Sequence, residues 1–171
     1  MRRLALLSVA AVLSAACGST ELVLPDTLRP AVTEALSTTV GARGVQIYEC
    51  RARKEGGSYE WAFVAPDAVL LDARGRAIGH HGAGPYWQAA DGSRVVGTVK
   101  ARADAAAAGA IPWLLLSTKS SGPVGAFSDV TSIQRVNTVG GVAPATPCTA
   151  QFAGTPARVP YTADYRLFTA R

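Results

Sequence analysis

"DAVLLDARGRAIGHHGAGPYWQAADGSRVVGTVKARA", Asp67 to Ala103, decides how this chain folds. Arg74-Gly75 parts DAVLLDA from RAIGHH at hairpin spacing, and Asp91-Gly92 parts YWQAA from SRVVGTVKARA in the same way. An Asp-Gly pair between apolar segments is a strong hairpin signal, because the favoured two-residue turns need φ > 0 where Gly and Asp adopt it most easily. Gly82-Ala83-Gly84-Pro85 joins the two hairpins. Four strand segments thus follow one another with no room for a helix between them.

The flanking sequence continues the pattern. GVQIYECRA alternates, with Val45 and Ile47 on one face and Tyr48 and Cys50 on the other. SYEWAFVAP sets Tyr59, Trp61 and Phe63 on one face, a row that reads as core or cross-strand packing rather than a binding platform. ADAAAAGA (103–110) is too short to hold a helix alone and reads as a surface loop. IPWLLLST reads as a strand buried on both faces, with Trp113 in the core, and SDVTSIQRVNTV alternates again. VPYTADYRLF is the last strand, with Tyr161, Ala163, Tyr165 and Leu167 on one face. Only PDTLRPAVTEALSTTVG (25–41) predicts a helix, from Leu28, Val32, Ala35 and Leu36 at helical spacing with Gly41 to end it. The expected fold is all-β: an antiparallel β-sandwich, or alternatively a closed β-barrel, with one short N-terminal helix.

The chain begins MRRLALLSVAAVLSAACGST: two arginines, an apolar run from Leu4 to Ala16, then Cys17. That order is a secretory signal, and the run is shorter than the roughly 20 residues a spanning helix needs. Leu13-Ser14-Ala15-Ala16 before Cys17 resembles the lipobox of bacterial lipoproteins, in which the cysteine takes a lipid and becomes the first residue; ordinary cleavage after an A-x-A-like site is the alternative. The expected organisation is a signal peptide at 1–16, a lipidated tether at 17–24 and a single domain at 25–171, extracytoplasmic and either anchored to the membrane through Cys17 or secreted. With Cys17 lipidated, Cys50 and Cys148 remain, and an oxidising compartment favours joining them. Loss of Arg2 and Arg3 lowers the net charge from +5 to +3. The one basic cluster, Arg51, Arg53 and Lys54, reads as a strand end, so no nucleic-acid surface is expected. Nothing in the pattern specifies an oligomeric state.

The segments GVQIYEC, WAFVAPDAVLLDARGRAIGHH, AGPYWQAADGSRVVG, IPWLLL, VTSIQRVNTVGGVAPATPC and VPYTADYRLF come in the order of a known family. Together, from Val45 to Phe168, they resemble the secreted bacterial and fungal proteins grouped as domain of unknown function 3455. The resemblance implies no activity, since the family has none established. It matches Cys50 and Cys148 to family cysteines and His81 to a family histidine, whereas His80 falls at a variable position. It departs at two places: Gly82 stands where the family has an aromatic, and Tyr86 stands for a threonine.

Consecutive side chains on a strand face apart, so His80 and His81 do not make one chelating pair without a bulge, and no metal site and no cofactor are expected. No G-x-S-x-G elbow, H-E-x-x-H helix or P-loop occurs, and Ser93 in its D-G-S turn reads as turn chemistry. The remaining candidates are Tyr86 and Trp87, which follow Gly84-Pro85 at a strand entrance, together with His81. The expected role is a non-enzymatic binding module for a glycan or a small apolar ligand. The alternative is a hydrolase or metal-dependent enzyme in which His81 works with a carboxylate from a distant strand.

Overall fold

A computed structural model describes residues 22–171; the expected signal peptide and Cys17 lie outside them. The strands are β1 (Glu34–Ala52), β2 (Tyr59–Leu71), β3 (Ala77–Gly82), β4 (Tyr86–Ala89), β5 (Arg94–Ala103), β6 (Trp113–Ser120), β7 (Val130–Gly140) and β8 (Pro156–Ala170). Each pairs antiparallel with the next, and β1 pairs with β8, so the sheet closes into a barrel. The all-β antiparallel expectation holds, and of the two arrangements the chain takes the closed one. Closure pairs every strand with two neighbours along at least part of its length.

The expected helix at 25–41 is absent. Asp26–Leu28 make a single 3-10 turn, and β1 starts at Glu34. Pro30 disfavours helical geometry at the residue before it, and Arg29 is extended (φ −73°, ψ 132°). Thr38, Thr39 and Val40 are β-branched and suit a strand. The apolar stripe faces no helix-side core, since Val32 is 90% exposed. β1 therefore runs 19 residues, twice the length read from its alternation.

The barrel interior is filled from alternate positions. Val40 and Ala42 of β1, Leu70 of β2, Trp87 of β4, Val95 of β5, Leu114 and Leu116 of β6, Ile133 of β7 and Tyr161 to Leu167 of β8 form one buried cluster. A second cluster lies outside the wall, where residues 22–28 cover β5 to β7 and bury Leu28 against Trp113, Leu115 and Val136. Leu22 and Leu24, placed by sequence in the tether, pack on this cluster as well. Gln134 Nε2 donates to the Leu28 carbonyl at 2.5 Å and fixes the crossing. That cover explains why IPWLLLST is buried on both faces. A fully buried leucine contributes roughly 1.5–3 kcal/mol.

An up-and-down ring puts its loops at two ends. At one lie the turns 72–76 and 90–93 and the β6–β7 loop, 121–129. This loop folds inward and places Phe127, 4% exposed, in the core. Ser93 Oγ accepts from the Phe127 amide at 3.0 Å and donates to Asp91 Oδ1 at 2.6 Å, while Asp91 Oδ2 accepts from the Ala126 amide at 2.7 Å. These bonds, the Ser93 hydroxyl foremost, hold the Asp91 carboxyl below the usual carboxylate range. Gly125 is required here, because a Cβ would lie 2.4 Å from Asp91 Oδ2.

At the other end lie the loops 53–58, 83–85, 104–112 and 141–155. The last is strapped to β1 by the Cys50–Cys148 bridge, whose Cα atoms are 5.5 Å apart. Trp61 Nε1 donates to the Thr146 carbonyl at 2.8 Å, and Gly154 and Thr155 exchange backbone bonds with Cys50. No helix among the described residues is long and apolar enough to cross a membrane.

Candidate functional site

The wall is incomplete at the strapped end. β3 and β4 span only 6 and 4 residues, because Gly82, Gly84 and Pro85 end the hairpin early. β3 pairs with β2 only from Leu71 to Ala68, and β4 with β5 only from Arg94 to Val96. The upper halves of β2 and β5 consequently face each other across a notch, with Gly84-Pro85 as its sill. Each bordering strand carries a bulge, at Val64 in the β1–β2 ladder and at Lys100 in the β5–β6 ladder. A bulge inverts the inward-outward alternation. Both Phe63 and Pro66 thereby face inward on β2, and both Val99 and Arg102 on β5.

A cavity of about 570 Å³ opens at this notch and runs into the barrel. Phe63, Val64 and Val99 line it while 53%, 43% and 47% exposed, so its rim is apolar and wet. Leu114, Leu116 and Trp87 line it more deeply. Gly97 makes room for the Trp87 ring, since a Cβ there would lie 2.8 Å from it. Tyr48 and Phe63, opposed in the β1–β2 ladder, meet edge to face at 5.8 Å. The expected aromatic row thus packs across strands at Phe63 and also borders the cavity there.

His81 is 2% exposed and stacks on Trp87 with ring centroids 4.3 Å apart; Tyr165 meets both rings edge-on, at 5.0 and 5.2 Å. Its Nδ1 lies 2.6 Å from the Tyr86 carbonyl, which fixes the tautomer with the proton on Nδ1 and a free lone pair on Nε2. Burial pushes its pKa down to about 3, against the stabilising Tyr86 bond and with help from Arg135 and the neighbouring His80. The imidazole is neutral at physiological pH. Burial likewise raises the Tyr161 and Tyr165 hydroxyls well above the usual phenol range, and the two oxygens lie 3.4 Å apart.

The cavity's charge is all of one sign. Arg135 and Arg102 line it, and no aspartate or glutamate among the described residues does. Arg135 Nε and Nη2 both donate to the Pro112 carbonyl, at 3.1 and 2.8 Å, which fixes the guanidinium plane. Gln46, 2% exposed, also lines the cavity; it acts on the Tyr161 hydroxyl, but its Nε2 has no acceptor within hydrogen-bond distance.

The structure brings His81 and Trp87 together in the cavity and leaves Tyr86 out. Tyr86 lies on the outer face, its ring packed against Gly82 and capped by the Arg94 guanidinium 4.0 Å from the ring centroid. A Cβ at Gly82 would approach that ring to 2.7 Å. Gly82 and Tyr86 are direct cross-strand partners, so the missing side chain of one leaves the space that the ring of the other fills. His80 also faces outward, with Nε2 3.2 Å from Asp67, which Arg158 bridges at 2.5 Å. The two histidines face apart, and no cluster of three metal-ligating side chains occurs among the described residues. Asp91 and Ser93 belong to the plugged end, and Asp164 accepts from Asn137 Nδ2 at 2.8 Å. None of these carboxylates reaches His81.

Sequence reasoning missed Gln46, Val99 and Arg135. Gln46 had a legible signal, as the one amide in the inward file Val40, Ala42, Gly44, Gln46, Tyr48, Cys50. Val99 and Arg135 stand on the faces of Val95 and Ile133, but alternation does not show that those faces border a cavity.

No curated protein and no solved structure matches the chain. The sequence model of the family described as "Protein of unknown function (DUF3455)" matches residues 30–169, which covers all eight strands but for the last residue of β8. That span takes in the barrel, the bridge and every residue of the cavity, and the chain belongs to this family.

Proposed function

We propose that this protein is a non-enzymatic binding module of the cell envelope, which takes a small apolar ligand into the open end of its barrel. The observation that carries the reading is the cavity itself: about 570 Å³, inside the range of small-molecule sites, entered past three exposed apolar side chains. Exposed apolar residues gathered at one opening favour a ligand that covers them. A small apolar ligand is a better fit than a glycan. Tyr86, the ring that would stack on a sugar, is already covered by Gly82 and Arg94. The hydrolase reading lacks support of this kind, since His81 has no carboxylate beside it. Export and anchoring through a lipid on Cys17 complete the reading, and the Cys50–Cys148 bridge fits an oxidising compartment.

The test is a titration of the disulfide-bonded protein followed by tryptophan fluorescence, since Trp87 lines the cavity. Aliphatic alcohols and naphthalene derivatives are expected to give saturable changes that oligosaccharides do not. Saturation by oligosaccharides alone, or by no probe, would overturn the reading. Mass analysis of the N-terminal peptide checks the anchor, which predicts a diacylglyceryl group on Cys17.

A further inference from the structure

We propose that the ligand is an apolar monoanion, a carboxylate on a short aliphatic or aromatic tail, whose charge pairs with Arg135 while the tail lies against Leu114, Leu116 and Val99. This rests on the binding reading above and goes beyond it by naming the ligand's charge.

Three observations converge on it. The cavity is lined by two arginines and no acid, and no salt bridge joins Arg135 to any carboxylate among the described residues. A cation in largely apolar surroundings without a counter-ion is costly, and an incoming anion removes that cost. Secondly, the Pro112 carbonyl holds the Arg135 guanidinium in one plane through two of its nitrogens. The Nη1–Nη2 edge that remains, two parallel donors in a fixed plane, matches the two oxygens of a carboxylate better than it matches a hydroxyl. Thirdly, Gln46 supplies a buried Nε2 with no partner in the same cavity. A buried donor left unmade calls for an acceptor oxygen. The reach of Arg135 is central rather than peripheral: its positive charge bears on Tyr48, His81, Tyr161 and Tyr165 alike. All four are neutral at physiological pH, so none of them offsets the charge.

The site also excludes alternatives. A cationic amphiphile meets like charge from Arg102 at the mouth and Arg135 within. A zwitterion finds no carboxylate for its ammonium group.

The experiment compares octanoate, 1-octanol and octylammonium, three probes with one tail and three charges, by calorimetric titration at low salt. Octanoate is expected to bind about tenfold more tightly than 1-octanol, the scale of one charge-assisted hydrogen-bonded pair, with octylammonium weakest. Arg135→Gln should bring octanoate down to the level of 1-octanol. Val99→Glu, at an exposed rim position, should weaken octanoate about tenfold more than it weakens 1-octanol; it decides the matter if Arg135→Gln does not fold. Equal binding of octanoate and 1-octanol by the wild type, or unchanged octanoate binding in both variants, overturns the anion assignment and leaves the apolar-binding reading standing. Failure of all three probes overturns both.

Discussion

The two ends of the barrel are built by opposite rules. At the plugged end Phe127 fills the opening, and Asp91 and Ser93 meet the backbone amides of the loop that carries it. At the strapped end a disulfide and the Trp61 bond hold the loop frame in place, yet the wall between β2 and β5 stays open. There Gln46 keeps an unmade hydrogen bond and Phe63, Val64 and Val99 keep exposed apolar surface. Buried donors without a partner occur elsewhere too, at Arg94 and Trp113, but only at the open end do they coincide with exposed apolar surface and an arginine that has no counter-ion among the described residues. That coincidence marks the place where something else supplies the partners.

Several changes would break or sharpen this contrast. The largest effect is expected from Cys50→Ala with Cys148→Ala, which opens a loop of 98 residues and should cost roughly 4–5 kcal/mol in the loop-entropy account. Chemical denaturation reads it, and a loss below about 1 kcal/mol would show that the strap does not frame the open end. Phe127→Ala should cost about 3–4 kcal/mol by leaving a cavity at the plugged end, while ligand binding at the other end persists. Loss of binding in a folded Phe127→Ala protein would mean the ends are not independent.

His81 gives a pH prediction whose sign comes from its burial. Its pKa falls from 6.5 unfolded to about 3 folded, so between those values the unfolded chain binds the extra proton. The stability it contributes is complete above pH 6.5 and is lost as pH falls toward 3, with a slope of at most about 1.4 kcal/mol per pH unit. In a His81→Phe variant, which keeps the stack on Trp87, the wild-type excess slope should vanish across that window. An identical slope in both proteins would refute a buried neutral imidazole.

Ser93→Ala should cost about 1–2 kcal/mol, because it strands the Phe127 amide. The smallest stability effect is expected from Val99→Ser at the rim, within about 0.5 kcal/mol, since the side chain is half in water already. Its binding of apolar probes should weaken all the same. That split between stability and binding separates a rim from a plug.

Much of the fold was legible. The Asp-Gly and Arg-Gly turns fixed two hairpins, and the alternation of GVQIYECRA and VPYTADYRLF sorted their residues onto the two faces that the structure shows. Three features were not. The helix expected at 25–41 gave way because Pro30 stops it after one turn and β1 gains partners on both sides, a tertiary preference that local spacing does not carry. Closure depends on whether β1 finds β8, and alternation is the same in a sandwich and a ring. The cavity depends on two bulges that reverse facing at Val64 and Lys100, so a strict two-residue period misplaces the residues beyond each bulge. His81 and Trp87 were found because the short hairpin that carries them has no bulge between its strands.

The central claim is that ligand enters at the open end, and amide chemical shifts of the isotopically labelled protein during octanoate titration test it most directly. The account predicts changes concentrated at Gln46, Phe63, Val99 and Arg135, with Ser93 and Phe127 unmoved. Changes centred on the plugged end, or on the outer face around His80 and Tyr86, would contradict it.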